Sequence, residues 1–277
     1  MQPARDATGE RSFTLYNQLC YPCRVFKPRF AICVDGGFIQ KVLRGRLERD
    51  PTAADILAEC DRIAAHEAFS NCDLLRIYYY DAPPATGVMT NPLNGETLDL
   101  QASDRFIQAV KLHAELMAAP NVALRMGDVM NNGWRVSERY VNNMAKEARP
   151  LSPTDLRPNL RQKGVDIRIG LDIARLSLKD TVRSLAVVTG DTDFVPAFKF
   201  ARREGIRVYL DTLGRPARSE LIEHSDLRLT PIPTAEERLQ ARKARSRAKQ
   251  REKRKITRNA NIEAPANSDD GSEASAS

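Results

Sequence analysis

Hydrophobic and polar positions along the chain fall into short continuous apolar runs separated by longer segments of helical spacing. The run "FAICVD" (Phe30–Asp35) is apolar until its last position, the pattern of a strand buried on both faces, and the Asp-Gly-Gly that follows predicts a tight turn. "FIQKVLRGRLERD" and "PTAADILAECDRIAAHEAF" predict helices, the second opened by Pro51 and Thr52. "DLLRIYYYDAP" (Asp73–Pro84) returns to strand chemistry, rich in tyrosine and closed by prolines. In "DRFIQAVKLHAELMAA" the apolar positions Phe106, Ile107, Val110, Leu112, Leu116 and Met117 mostly follow a helical spacing, and "NVALRMGDV" predicts the next strand. Residues 128–163 break the rhythm with "NNGW" and then Pro150, Pro153 and Pro158, which predicts an inserted ribbon and loop. From Gly164 the alternation resumes: helix 165–179, strand 184–190, helix 194–204, strand 206–211, helix 216–224 and a short strand near Leu227–Pro231. Strands alternating with helices predict an α/β fold, a mostly parallel sheet with helices on both faces.

Composition supports a packed core and adds two features outside it. The chain has 277 residues, 42% of them hydrophobic, and no window approaches the ~18–20 apolar residues of a membrane span. The first ten residues, "MQPARDATGE", contain no apolar stretch of the kind that directs secretion, so a cytoplasmic location is expected. Five cysteines, an odd number, predict reduced thiols; the "CYPC" pair Cys20–Cys23 has no second Cys or His pair nearby to complete a zinc site. The net charge of +7 is local: residues 238–258 carry +10 and residues 259–277 carry −4, so the other 237 residues carry only +1. Residues 1–28 predict a poorly structured arm. Residues 233–258 predict a basic helix, with Thr234 and Glu237 at capping-box spacing and almost no apolar face, and 259–277 a disordered acidic tail. A basic helix of this kind suits phosphate binding, with RNA as the expected partner.

Ligands of an open parallel sheet bind outside the carboxyl ends of its strands, where strand order reverses. Asp35 ends the first strand, Asp191 follows the strand 184–190, and Asp193 enters the next helix. Asp166 sits in the first turn of a helix whose apolar positions Val165, Ile169, Ile173 and Leu176 face the sheet, which places it at the same edge. Asp172, six residues further on and about 240° around that helix, should point elsewhere, toward Arg168 or Arg175. Each acid alone could be a helix cap, since Asp191, Thr192 or Asp193 could serve the helix that follows. Four carboxylates at one edge, with no cluster of His or Cys, favour a hard cation, Mg²⁺ or Mn²⁺, over zinc. A cation would also relieve the repulsion between Asp191 and Asp193.

Three blocks, "FAICVDGGFI", "KGVDIRIGLDIARL" and "LAVVTGDTDFVPAFKFARREGIRVYL", resemble the motif blocks of the NYN domain, a PIN-like nuclease family that includes LabA-like bacterial proteins. The resemblance spans about Phe30–Pro231 and implies a PIN-like three-layer α/β/α domain over residues 29–232. It also implies a Mg²⁺- or Mn²⁺-dependent ribonuclease site, with Asp35, Asp166, Asp191 and Asp193 as metal-binding acids. Lys163 matches the family's basic position, for a phosphate. Where many relatives have Asn shortly after the first Asp, this chain has "DGGF". PIN-like domains often pair, so a homodimer is a further expectation.

Thr189 is placed to hydrogen-bond a metal ligand or to satisfy its own strand. Trp134 with Arg135, in the insertion, offers an aromatic–arginine contact to single-stranded RNA, whereas Tyr78, Tyr79 and Tyr80 are expected to pack in the core. His66, His113 and His224 fall at unrelated helical positions and read as surface or packing residues. The expected activity is metal-dependent hydrolysis of RNA phosphodiesters, most simply by internal cleavage. An RNA-binding or regulatory module without turnover, and a phosphatase or DNA nuclease on the same acids, remain as alternatives.

Overall fold

A computed structural model describes residues 27–144 and 149–231. Residues 1–26, with Cys20 and Cys23 and most of the arm expected over 1–28, residues 145–148, and residues 232–277, with the expected basic helix and acidic tail, lie outside the described residues. By its internal contacts the chain divides into Met1–Leu213 with Ala217–Leu229, and a second unit of Gly214–Pro216 with Thr230–Ser277. The first of these is a six-stranded parallel sheet covered by helices on both faces.

The sheet contains β1 (Arg29–Asp35), β2 (Asp73–Asp81), β5 (Val122–Met126), β8 (Ser184–Val188), β9 (Arg207–Asp211) and β10 (Leu227–Arg228), in the spatial order β10-β9-β8-β1-β2-β5. Each neighbouring pair is parallel. On one face lie α1 (Gly36–Leu47), α2 (Ala53–Ala64) and α3 (Asp104–Ala118); on the other lie α5 (Val165–Leu178), α6 (Val195–Arg203) and α7 (Ser219–Glu223). This is the three-layer α/β/α arrangement that the alternation predicts.

The apolar runs are continuous because the strands are buried on both sides. Phe30, Ile32 and Val34 of β1 pack with Ile39, Leu43, Ile56 and Leu116 from the first helical layer. Ala31 and Cys33 face Ile169, Ile173 and Phe198 from the second. Full burial of each such large side chain contributes about 1.5–3 kcal/mol. The Phe30 ring stacks on Phe69 at 4.2 Å between centroids, and Tyr209 meets Phe69 edge-on at 5.1 Å. Tyr79 and Tyr80 are fully buried, as expected of core tyrosines.

Three local results differ from the sequence reading. The tight turn expected at Gly36–Gly37 does not form. Instead Asp35 ends β1 and accepts the Phe38 amide at 3.0 Å as the N-cap of α1, so strand passes directly into helix. Gly36 allows this: a Cβ there would stand 2.5 Å from the Tyr80 carbonyl oxygen of the neighbouring strand. The helix predicted to run to Asp50 stops at Leu47, where Glu48 takes a left-handed conformation. A small antiparallel hairpin, β3 (Val88–Thr90) with β4 (Thr97–Asp99), was not anticipated. The interval 128–163 holds an antiparallel ribbon, β6 (Asp128–Val136) with β7 (Leu156–Lys163), and α4 (Glu138–Met144) between its strands. α2 begins with a full capping box between Thr52 and Asp55. Among the described residues, no helix is long and apolar enough to cross a membrane.

Candidate active site at the switch point

From β1 the chain moves outward through β2 to β5, then returns to β8 on the other side of β1 and continues outward through β9 to β10. Strand order therefore reverses between β1 and β8, and the crevice at their carboxyl ends is where such sheets bind ligands. Asp35 ends β1 there. Thr189, Gly190 and Asp191 follow β8, and the short 3₁₀ turn Thr192–Phe194 carries Asp193 into α6. α5 packs against that turn and starts at the same edge, so Asp166 in its first turn joins the group.

Thr189 ties two of the acids together. Its side chain is fully buried; the hydroxyl donates to Asp35 Oδ2 at 3.2 Å and its oxygen accepts the Asp191 amide at 3.1 Å. Asp191 Oδ1 in turn accepts the Asp193 amide at 3.0 Å, which caps the 3₁₀ turn. Gly190 makes room for this joint, because a Cβ there would lie 2.6 Å from Cε2 of Phe38, the residue whose amide Asp35 caps. The cap foreseen for the following helix serves this turn instead: α6 begins after Phe194, which makes no side-chain capping bond. Asp166 and Asp193 are exposed, and neither carboxylate has a hydrogen-bond donor or a cation partner among the described residues.

The electrostatics follow from this crowding. Burial pushes the Asp35 carboxyl above its ordinary range; the Phe38 amide and Thr189 hydroxyl oppose the shift, while the charges of Asp166 and Asp191 add to it. Asp166 is also pushed up, first by desolvation and then by Asp191 and Asp193. Four carboxylates and a hydroxyl form an all-oxygen donor set with excess negative charge, the chemistry suited to Mg²⁺ or Mn²⁺. Among the described residues, however, no group of three or more His, Cys, Asp or Glu side chains is drawn together closely enough to hold a metal ion as it stands. The donor types, all oxygen, fit a hard divalent cation.

The segment that supplies Asp166, Asp191 and Asp193 is also the one recognisable by family. Residues 131–232 match the NYN domain. NYN domains belong to the PIN-like superfamily of nucleases. The NYN match includes Lys163, Thr189, Trp134 and Arg135 and begins within β6, so Asp35 and β1 lie outside it although the sequence resemblance extends to them. None of the curated proteins matches the chain. A crystal structure of a protein of unknown function from Vibrio parahaemolyticus is 14% identical, with a TM-score of 0.44 covering 74% of this chain and 93% of that one.

The remaining sequence candidates take varied positions. Lys163 is exposed at the end of β7, one residue before the glycine that precedes α5. Trp134 is half-buried on β6, and its indole N–H donates to the Thr90 carbonyl at 2.8 Å, fastening the ribbon to the β3–β4 hairpin. Arg135 is exposed and lies 3.6 Å from Glu138. Asp172 does not turn toward Arg168 or Arg175. It accepts from Arg125 Nε at 3.0 Å and from the Tyr80 hydroxyl at 3.1 Å, because this side of α5 leans over β2 and β5 rather than toward solvent. His66 caps a 3₁₀ turn through the Ala68 amide.

Two further aspartates at the same sheet edge escaped the sequence reading. Asp81 ends β2 and Asp211 ends β9, so the strand-end criterion that selects Asp35 selects them equally. Both are buried. Asp81 is surrounded by donors: Gln40 Nε2 at 2.7 Å, His113 Nε2 at 3.0 Å, Gln162 Nε2 at 3.1 Å and the Ala82 amide at 2.8 Å. Asp211 accepts from Arg62 at 2.6 Å and from the Leu213 amide at 2.7 Å.

Proposed function

We propose that the chain is a metal-dependent ribonuclease that hydrolyses RNA phosphodiesters, cutting within strands, at the crevice between β1 and β8. The observation that carries this reading is the unanswered charge at the edge: Asp166 and Asp193 have no donor or cation among the described residues, and Asp35 and Asp166 are pushed up by burial first and by their acidic neighbours in addition. The NYN match over the segment supplying three of the four acids supports a nuclease class.

Asp35, Asp166, Asp191 and Asp193 would hold Mg²⁺ or Mn²⁺. A divalent ion of this kind activates water and neutralises developing charge at a phosphodiester. Thr189 holds Asp35 and the Asp191 backbone in register, so the two acids from different strands keep a fixed relation. Gly190 lets Phe38 lie against the strand end and shield the joint. Lys163, and the basic residues 238–258 outside the described part, supply positive charge for the RNA backbone.

The second reading is an NYN module that binds RNA without turnover. It draws on one observation: both oxygens of Asp35 are already engaged, one by the α1 cap and one by Thr189. One experiment separates the two. Labelled single-stranded RNA is incubated with the protein in EDTA, Mg²⁺ or Mn²⁺, beside an Asp191→Asn/Asp193→Asn variant. Cutting that needs the metal and disappears in the variant supports the nuclease; binding without cutting in either metal supports the module.

A further inference from the structure

On the sheet face beneath α5, a cavity of about 230 Å³ opens beside the edge strand β5, lined by Arg76 and Tyr78 of β2, Arg125 of β5, and Asp172, Arg175 and Lys179 of α5 and its C-cap. It lies away from the acidic crevice: Asp166 and Arg175 are nine residues apart on α5, about 14 Å along the helix axis. Four cations meet one carboxylate there. Asp172 is taken by Arg125 Nε and the Tyr80 hydroxyl, so it answers only one of the four. Arg76, Arg175 and Lys179 make no ion pair with any described residue.

Arg125 is also arranged rather than loose. Its Nε is anchored on Asp172, its guanidinium lies 5.3 Å from the centre of the Tyr78 ring, and Tyr78 stacks on Tyr80 with centroids 6.5 Å apart. The two terminal nitrogens of Arg125 make no hydrogen bond among the described residues, which leaves the fork that grips phosphate oxygens available. We propose that this cavity is a binding site for a phosphate monoester, gripped by Arg125 and by Arg76, Arg175 and Lys179.

A monoester is favoured over a diester on two grounds. Three cations with no ion pair among the described residues suit a group carrying nearly two negative charges better than the single charge of a backbone phosphate. A concavity roofed by a helix accepts an end more readily than a chain passing through. The volume is below the roughly 300–1,000 Å³ of pockets that engulf drug-sized ligands, so the phosphate and its near surroundings enter while the rest of the ligand stays outside. The same group is carried by a free nucleotide and by a phosphorylated nucleic-acid end.

The test uses the full chain in EDTA, so that cleavage does not interfere and the outcome does not depend on the nuclease reading. Binding is measured for a short oligoribonucleotide with a 5′-phosphate, a 3′-phosphate or hydroxyls at both ends, and for uridine 5′-monophosphate and inorganic phosphate. A phosphorylated ligand should bind about tenfold tighter than its hydroxyl counterpart, the effect of roughly one charge-assisted hydrogen bond. That advantage should vanish in Arg175→Gln/Lys179→Gln, and fall in Arg76→Gln, all at exposed positions where the fold is retained. A gain with the mononucleotide alone, or with one phosphorylated end alone, supports the site and names its source. Equal binding of phosphorylated and hydroxyl oligonucleotides, with no binding of the mononucleotide or of phosphate, overturns the proposal; so does a phosphate advantage that survives unchanged in both variants.

Discussion

One edge of one sheet carries two kinds of aspartate. Asp81 and Asp211, at the ends of β2 and β9, are buried and fully answered by amides, a histidine and an arginine. Asp35, Asp166, Asp191 and Asp193, around β1 and β8, are more open, and two of them have no donor at all among the described residues. The carboxyl edge of the sheet is common to both kinds. What separates them is whether the protein itself has supplied the opposite charge or the hydrogen bonds. The first kind is compensated from within the fold; under the proposed function, the second would meet its opposite charge in a bound cation.

The sharpest way to break this comparison is to neutralise each kind in turn. In Asp191→Asn/Asp193→Asn, RNA cleavage should fall to background while stability in urea without metal stays within about 0.5 kcal/mol of the parent or rises, since repulsion on Asp166 is relieved. A large loss of stability would place these acids with the structural ones. Addition of Mn²⁺ should raise the melting temperature of the parent and leave that of the variant unmoved, a readout independent of activity.

The converse holds at the answered acids. Asp211→Asn removes the charge opposite Arg62 in a fully buried position and should cost about 2–4 kcal/mol of unfolding free energy. Asp81→Asn keeps the shape but sets an amide against the donors of Gln40 and Gln162, and should cost about 1–3 kcal/mol. Neither substitution should change metal binding at the β1–β8 crevice. The smallest effect is expected for Asp128→Asn, an exposed acid 3.9 Å from Arg168 on α5. Its unfolding midpoint should move by no more than about 0.5 kcal/mol allows, which calibrates the others.

Much of this architecture was legible because apolar runs and helical spacings are local. β1, β2, β5, β8 and β9 appear where continuous apolar runs predict them, and Val165, Ile169, Ile173 and Leu176 face the sheet as their spacing requires. The carboxyl edge then follows from strand alternation, whereas the strand order that puts the reversal between β1 and β8 is set by pairings that the sequence does not show. The sorting of the acids was not legible, because their partners are remote: Gln40 and Gln162 lie 41 and 81 residues from Asp81, and Arg62 lies 149 from Asp211. Asp172 was misdirected for a related reason, since the sequence offers Arg168 and Arg175 one turn away but cannot show Arg125 across the sheet. The β3–β4 hairpin, three residues a side, is too short to leave a pattern of its own.

The direct passage from β1 into α1 at Asp35 has a consequence for changes in chain length. One residue inserted between Asp35 and Gly36 would rotate α1 by about 100° and swing Ile39 and Leu43, which are buried against the sheet, toward water. The ribbon has no such constraint, since Asn131, Asn132 and Gly133 are exposed and already carry a break in register. Added residues should therefore be tolerated in the ribbon far more readily than between the first acid and its helix.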